Sequence, residues 1–165
     1  MVALVKVKLE GGSLPEYKHS GDAGADVRVI PNPMSEHGRH TGRSSGESVV
    51  VEKHGYFLEP GGTRMLSLGF RMAIPEGWEV QVRSRSGLAK RGIVVANSPG
   101  TIDSGYRGPC MVLLHNNTDK PYAIAANERI AQFVLKKAPQ AMFAAVDDLD
   151  ATIRGDGGFG STGSL

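Results

Sequence analysis

The chain has 165 residues, a formal charge of +2, one cysteine, 22 Gly and 9 Pro. That length suits one domain rather than two, and its 39 Leu, Ile, Val and Phe residues supply a core and exclude a disordered chain. A lone Cys110 excludes a disulfide framework or multi-cysteine zinc site and suits a reducing, cytoplasmic compartment, while so small a charge gives no ground for a nucleic-acid partner.

In chain order, VALVKVKL (2–9) alternates apolar and charged residues, which predicts a strand and leaves no apolar core for a signal peptide. No apolar run approaches the roughly 20 residues of a bilayer span, so no membrane partner is expected. ADVRVI (25–30) predicts a second strand. PNPMSEHGRHTGRSSGES (31–48) has almost nothing apolar and reads as a long surface loop or hairpin extension. Its His37 and His40 read as solvated rather than metal-binding, and the segment is the one place left for an unidentified partner. Strands follow at SVVVE (48–52), RMLSLGFRMAI (64–74) and WEVQVR (78–83). SGLAKRG (86–92) is a single helical turn stopped by Gly92. CMVLLH (110–115), PYAIA (121–125) and RIAQFVLKK (129–137) are further strands, and AMFAAVDDLD (141–150) is either a weak helix or a strand followed by loop. Turn-bounded strands at a spacing of about ten residues imply an all-β barrel, sandwich or jelly roll.

Three stretches carry candidate chemistry. Arg85, Ser86 and Gly87 stand where a strand gives way to the helical turn, so backbone N–H groups, a hydroxyl and a guanidinium can meet phosphate oxygens. NSPGTIDSGYRGP (97–109) is a tight, hairpin-like loop from which Asp103 and Tyr106 project three residues apart. A turn aspartate usually serves local hydrogen bonding, but Asp103 keeps company with an anion-binding turn. RGDGGFGSTGSL (154–165) has the composition of a frayed tail; Phe159 amid glycine, with Arg154, Ser161 and Thr162 as donors, is out of keeping with that. A base, an anion site and a donor-rich arm are the parts needed to activate water against a polyphosphate.

AGADV (23–27), RSRSGLA (83–89), NSPGTIDSGYRG (97–108), ERIAQFVL (128–135) and RGDGGFGSTG (154–163) resemble, in order and spacing, the five motifs of the trimeric dUTP pyrophosphatases, the dUTPases. The resemblance implies a distorted β jelly roll, with residues 1–153 as one β domain and 154–165 as a flexible arm. It also implies a homotrimer with shared active sites and Mg²⁺-dependent hydrolysis of dUTP to dUMP and pyrophosphate. Such an enzyme keeps uracil out of DNA and supplies dUMP for dTMP synthesis. Carried over, Asp103 is the general base for water attack at the α-phosphorus, since a carboxylate is ionised at neutral pH. Tyr106 packs on the deoxyribose; Asn97, Gly100, Thr101, Ile102 and Met111 hold uracil, the backbone mimicking a pairing base. Arg85, Ser86, Gly87 and Gln132 bind phosphates, and Arg154, Phe159, Gly160, Ser161 and Thr162 close over the nucleotide. Mg²⁺ sits on phosphates and waters without a direct protein ligand, as suits its reluctance to dehydrate, with Asp26 near its water shell. Ser84 stands where the family usually has Pro.

The related dCTP deaminases place a catalytic Glu on the strand after the 97–109 loop. The matching position here is Leu114, which argues against deamination. A non-enzymatic regulator acting through 31–48 is the other reading, and against it every chemistry-bearing position is intact.

Overall fold

Alternating apolar residues between turn-formers give thirteen strands and one helical turn among the described residues. The structure is a computed structural model describing residues 3–32, 40–44, 47–51 and 55–158. In order they are β1 (Lys6–Leu9), β2 (Ala25–Arg28), β3 (His40–Ser44), β4 (Glu47–Val51), β5 (Tyr56–Leu58), β6 (Thr63–Ser67), β7 (Phe70–Ala73), β8 (Trp78–Arg83), α1 (Ser86–Ala89), β9 (Ile93–Val95), β10 (Gly100–Ile102), β11 (Met111–Asn116), β12 (Tyr122–Ile124) and β13 (Arg129–Lys137). The largest sheet runs β10-β8-β13-β2, beside β6-β11-β9 and the pairs β1-β7, β12-β5 and β3-β4. Every strand pairing among the described residues is antiparallel.

The inward faces meet in one core in which Phe70, Leu58, Leu66, Leu68, Leu114 and Ile130 are sealed from solvent. Phe70 meets Phe133 edge-on at 6.0 Å and 73°, the geometry favoured by the ring quadrupoles. β13 buries Ile130 and Ala131 in succession, which strict alternation forbids. A register shift between Arg129 and Ala131 resolves this and turns Gln132 toward Asp26, its partner across β2.

Several sequence expectations change. The first strand is confined to 6–9 and the second to 25–28. The run 64–74 is two strands, because Gly69 (φ +68°) breaks it where the chain crosses Gly12. A Cβ on either glycine would collide with the other segment, so only a side-chain-free crossing lets Glu10 and Gly12 donate to the Gly69 carbonyl at 2.7 and 2.9 Å. Within 31–48, the hairpin alternative agrees with β3 and β4, which pair from His40↔Val51 to Ser44↔Glu47; residues 33–39 and 45–46 lie outside the described residues. The 141–150 segment is neither helix nor strand. The 97–109 loop is no hairpin with the following strand: β10 pairs with β8, Gly100↔Val82 through Ile102↔Val80. No helix among the described residues is long and apolar enough to cross a membrane.

Candidate active site

Residues 97–113 build a cleft of about 280 Å³ at the open edge of β10. Asn97, Gly100, Thr101, Ile102, Asp103, Tyr106 and Met111 all line it, so seven residues singled out from sequence converge. β10 spends one edge on β8. Its other edge therefore offers backbone donors and acceptors to a planar amide partner, as any unpaired strand edge does. Ile102 is buried against β8 while Asp103, next in line, is exposed. The strand thus anchors the carboxylate at the mouth of the cleft. Tyr106 is held by its own turn: its N–H reaches the Asp103 carbonyl at 3.1 Å and its hydroxyl donates to the Pro109 carbonyl at 3.1 Å. Its ring lies so close over Gly108 that any Cβ there would strike the phenol, which is why glycine follows Arg107.

Met65, Val82, Pro109, Cys110 and Leu113 also line the cleft and were not singled out from sequence. Met65 and Leu113 face each other across β6 and β11, and no local pattern announces a contact between strands some fifty residues apart. Burial pushes the Cys110 thiol up to about 11, so it is protonated at neutral pH and is no nucleophile. Leu114 points into the core; the β11 residues facing the cleft are Met111 and Leu113, with no carboxylate between them. Among the described residues, Asp103 is the sole acidic residue lining the cleft, and no cation lines it.

Two of the phosphate-binding candidates, Gln132 on β13 of the same sheet and Arg85 just before α1, meet at Asp26 on β2. Arg85 Nε and the Gln132 amide donate to one Asp26 oxygen at 2.9 and 3.1 Å, and Arg129 Nη1 and Arg85 Nη2 donate to the other at 3.0 and 3.4 Å. Arg85 Nη1 also reaches the Arg129 carbonyl at 3.2 Å. These bonds use three of the five guanidinium N–H groups of Arg85, so two remain to meet an anion. They fill the four acceptor positions of Asp26, which leaves none for a metal's water shell unless one bond breaks. Ser86 and Gly87 open α1 on the exposed side. Ser84, in place of proline, accepts the Val95 N–H at 2.8 Å and so ties the end of β8 to β9. Arg154 turns back on its own segment, Nε to the Gly157 carbonyl at 2.9 Å. Phe159, Gly160, Ser161 and Thr162 lie outside the described residues.

Burial pushes the Asp26 carboxyl up, but hydrogen bonds from Arg85 and Gln132 and the charges of Arg85 and Arg129 outweigh it and hold the group below its ordinary value. A folded-state value below the unfolded one stabilises the fold above the unfolded value, and that stabilisation is lost as pH falls through the folded one. Asp26→Asn is therefore expected to cost about 2–3 kcal/mol at neutral pH. The gap in thermal midpoint between variant and wild type should close on acidification, and a gap independent of pH would remove the carboxylate's charge from the account.

Among the described residues no three His, Cys, Asp or Glu side chains are grouped to hold a metal.

The dUTPase family model matches residues 39–163. The deoxyuridine 5'-triphosphate nucleotidohydrolase of Caulobacter vibrioides is 55% identical over 152 residues, covering 91% of this chain and 85% of that protein. The protein of the same name from Fusobacterium nucleatum is 43% identical over 158 residues, covering 95% and 94%. In fold, the chain resembles a dUTPase of Staphylococcus bacteriophage 80alpha solved with dUpNHpp, at a TM-score of 0.76, 24% identity and coverage of 97% and 98%. It also resembles the dUTPase of phage phi11 of S. aureus, described as coordinating a structural Mg(II) ion, at 0.68, 21% and coverage of 90% and 99%.

Proposed function

The chain belongs to the dUTPase family and is a dUTP diphosphatase, a jelly-roll protein that hydrolyses dUTP to dUMP and pyrophosphate; on that premise we propose how its residues divide the work. The observation that carries the proposal is the convergence of Asn97, the open edge of β10, Asp103 and Tyr106 on one cleft. Uracil pairs with the backbone of Gly100, Thr101 and Ile102, with Asn97 beside it and Met111 lining the pocket, where close backbone approach leaves little room for the 5-methyl of thymine. The Tyr106 ring lies along the deoxyribose and occupies the space a 2'-hydroxyl would need.

Asp103 orients a water in line with the α-phosphorus and takes its proton as the new P–O bond forms. The bond from the α-phosphorus to the bridging oxygen breaks, and pyrophosphate leaves with the electron pair. The proton then passes from Asp103 to solvent. Mg²⁺, carried on the phosphates, supplies charge neutralisation for the leaving group when bound.

A triphosphate is strongly anionic, yet among the described residues no cation lines the Asp103 cleft and the basic cluster on Asp26 is not part of it. The charge is therefore met by a neighbouring copy. In a homotrimer, Arg85, Ser86, Gly87 and Gln132 of one chain face the cleft of another, with Asp26 orienting Arg85 and Gln132. Met142, Phe143 and Ile153, each more than nine-tenths exposed, give the segment before the arm an apolar face that a second copy would cover. Arg154 and the segment 159–162 then close the site. The assembly works where dUTP is made, in the cytoplasm.

Pyrophosphate release measured with dUTP, dTTP, dCTP and UTP tests the reading. kcat/KM for dUTP should exceed that for UTP by about 10² or more, the discrimination within reach of a shape-based pocket. Equal values for UTP and dUTP would remove Tyr106 from its assigned role.

A further inference from the structure

The loop 103–109 is fastened from outside the cleft. Arg71, on β7, donates from Nη1 to the Arg107 carbonyl at 3.2 Å. Among the described residues this is the side-chain hydrogen bond that reaches 103–109 from another element. Its Nε donates to both Glu10 carboxylate oxygens, at 2.9 and 3.0 Å, and Glu10, one residue past β1, is pinned by its own N–H on the Gly69 carbonyl. Arg107 continues the chain inward: its Nη1 donates to the Ser104 carbonyl at 2.6 Å and to that of Tyr106 at 2.8 Å. The connected groups thus run from Glu10 through Arg71 and Arg107 to the backbone that carries Tyr106. The hydrogen bonds from Arg71, helped by its charge and by Lys8, outweigh desolvation and hold the Glu10 carboxyl below its ordinary value, so Glu10 stays ionised and keeps its hold on Arg71 at neutral pH.

We propose that Arg71, oriented by Glu10, is a positioning residue that sets Tyr106 against the sugar, so that part of the preference for deoxyribose is fixed on the β1-β7 sheet, outside the pocket. The proposal rests on the Tyr106 assignment above. Steric exclusion of one hydroxyl depends on ring placement to well under an ångström, and catalytic geometry of this kind is lost when its supporting contacts loosen. Asp103 is less exposed to the change, because it follows directly on β10, which is held by β8. Loss of Arg71 should accordingly affect sugar choice and KM more than kcat.

The test compares full-length wild type with Arg71→Met, which keeps the stem and removes the donors, and with Glu10→Gln, which keeps Arg71 but not its charged anchor. kcat and KM are measured for dUTP and UTP, together with the thermal midpoint. Arg71→Met should lower the dUTP-to-UTP ratio of kcat/KM about tenfold and raise KM for dUTP several-fold, with kcat for dUTP within about twofold. Glu10→Gln should shift the ratio in the same direction by about two- to threefold. An exposed ion pair contributes little to stability, so the midpoint should hardly move. A selective wild type with an equally selective Arg71→Met variant overturns the proposal alone, as does a lowered midpoint with unchanged constants. If Arg71→Met does not fold, an unshifted ratio in Glu10→Gln overturns it. A wild type indifferent to the sugar overturns the Tyr106 assignment and this proposal together.

Discussion

Asp103→Asn is expected to lower kcat for dUTP by about 10² to 10⁴, the usual worth of a positioned general base, while leaving the fold and nucleotide binding in place. The geometry separates these effects. Asp103 is exposed beyond the end of β10, whose last residue, Ile102, is paired with Val80. An isosteric amide therefore disturbs no buried packing and leaves Asn97 and the β10 edge to hold the base. It removes the one acidic group lining the cleft among the described residues, and the buried Cys110 thiol, with its raised value, offers no substitute. Binding of the non-hydrolysable dUpNHpp and the thermal midpoint should match wild type. Wild-type kcat in this variant would sink the base assignment.

How much of this was legible in the sequence depends on how local each signal is. β8 and β13 were read with their observed bounds, because alternation in WEVQVR and apolar density in RIAQFVLKK exceed anything a neighbour could impose. β5, β9 and β10, three residues each, are too short for a period to show. They are strands because a partner, β12, β11 or β8, supplies the hydrogen bonds. The same limit explains the 97–109 loop. Its glycines and prolines signal a turn correctly, but which strand its ends pair with is a tertiary choice, and β8 takes the place a local hairpin would give to β11. The cleft residues found by motif lie close together along the chain. Of those missed, Met65 and Leu113 meet only through the β6–β11 register. Asp26 was legible as a site residue, but not its engagement by two guanidiniums from separate strands and turns. Ser84 looked like the loss of a stiffening proline, whereas its hydroxyl takes up a backbone N–H that proline could not serve.

The separation of the Asp103 cleft from the Asp26 cluster has a consequence that mixed assemblies can read directly. Subunits carrying Asp103→Ala retain the arm, and subunits ending at Ile153 retain the base; each parent should be nearly inactive. A 12-residue arm of which five residues are glycine loses much conformational freedom on ordering, so it closes only where it gains contacts with nucleotide and protein. If that place is the cleft of a neighbour in a threefold ring, random co-refolding in equal amounts puts an intact base under an intact arm in about a quarter of the sites. Activity should then recover to about a quarter of wild type per site. If each arm serves its own chain's Asp103, no site in any mixture holds both parts and nothing is recovered. Mass measurement of the mixed species keeps the outcome from resting on failed exchange: verified mixed trimers without recovered dUTP hydrolysis would show that base and arm belong to one chain.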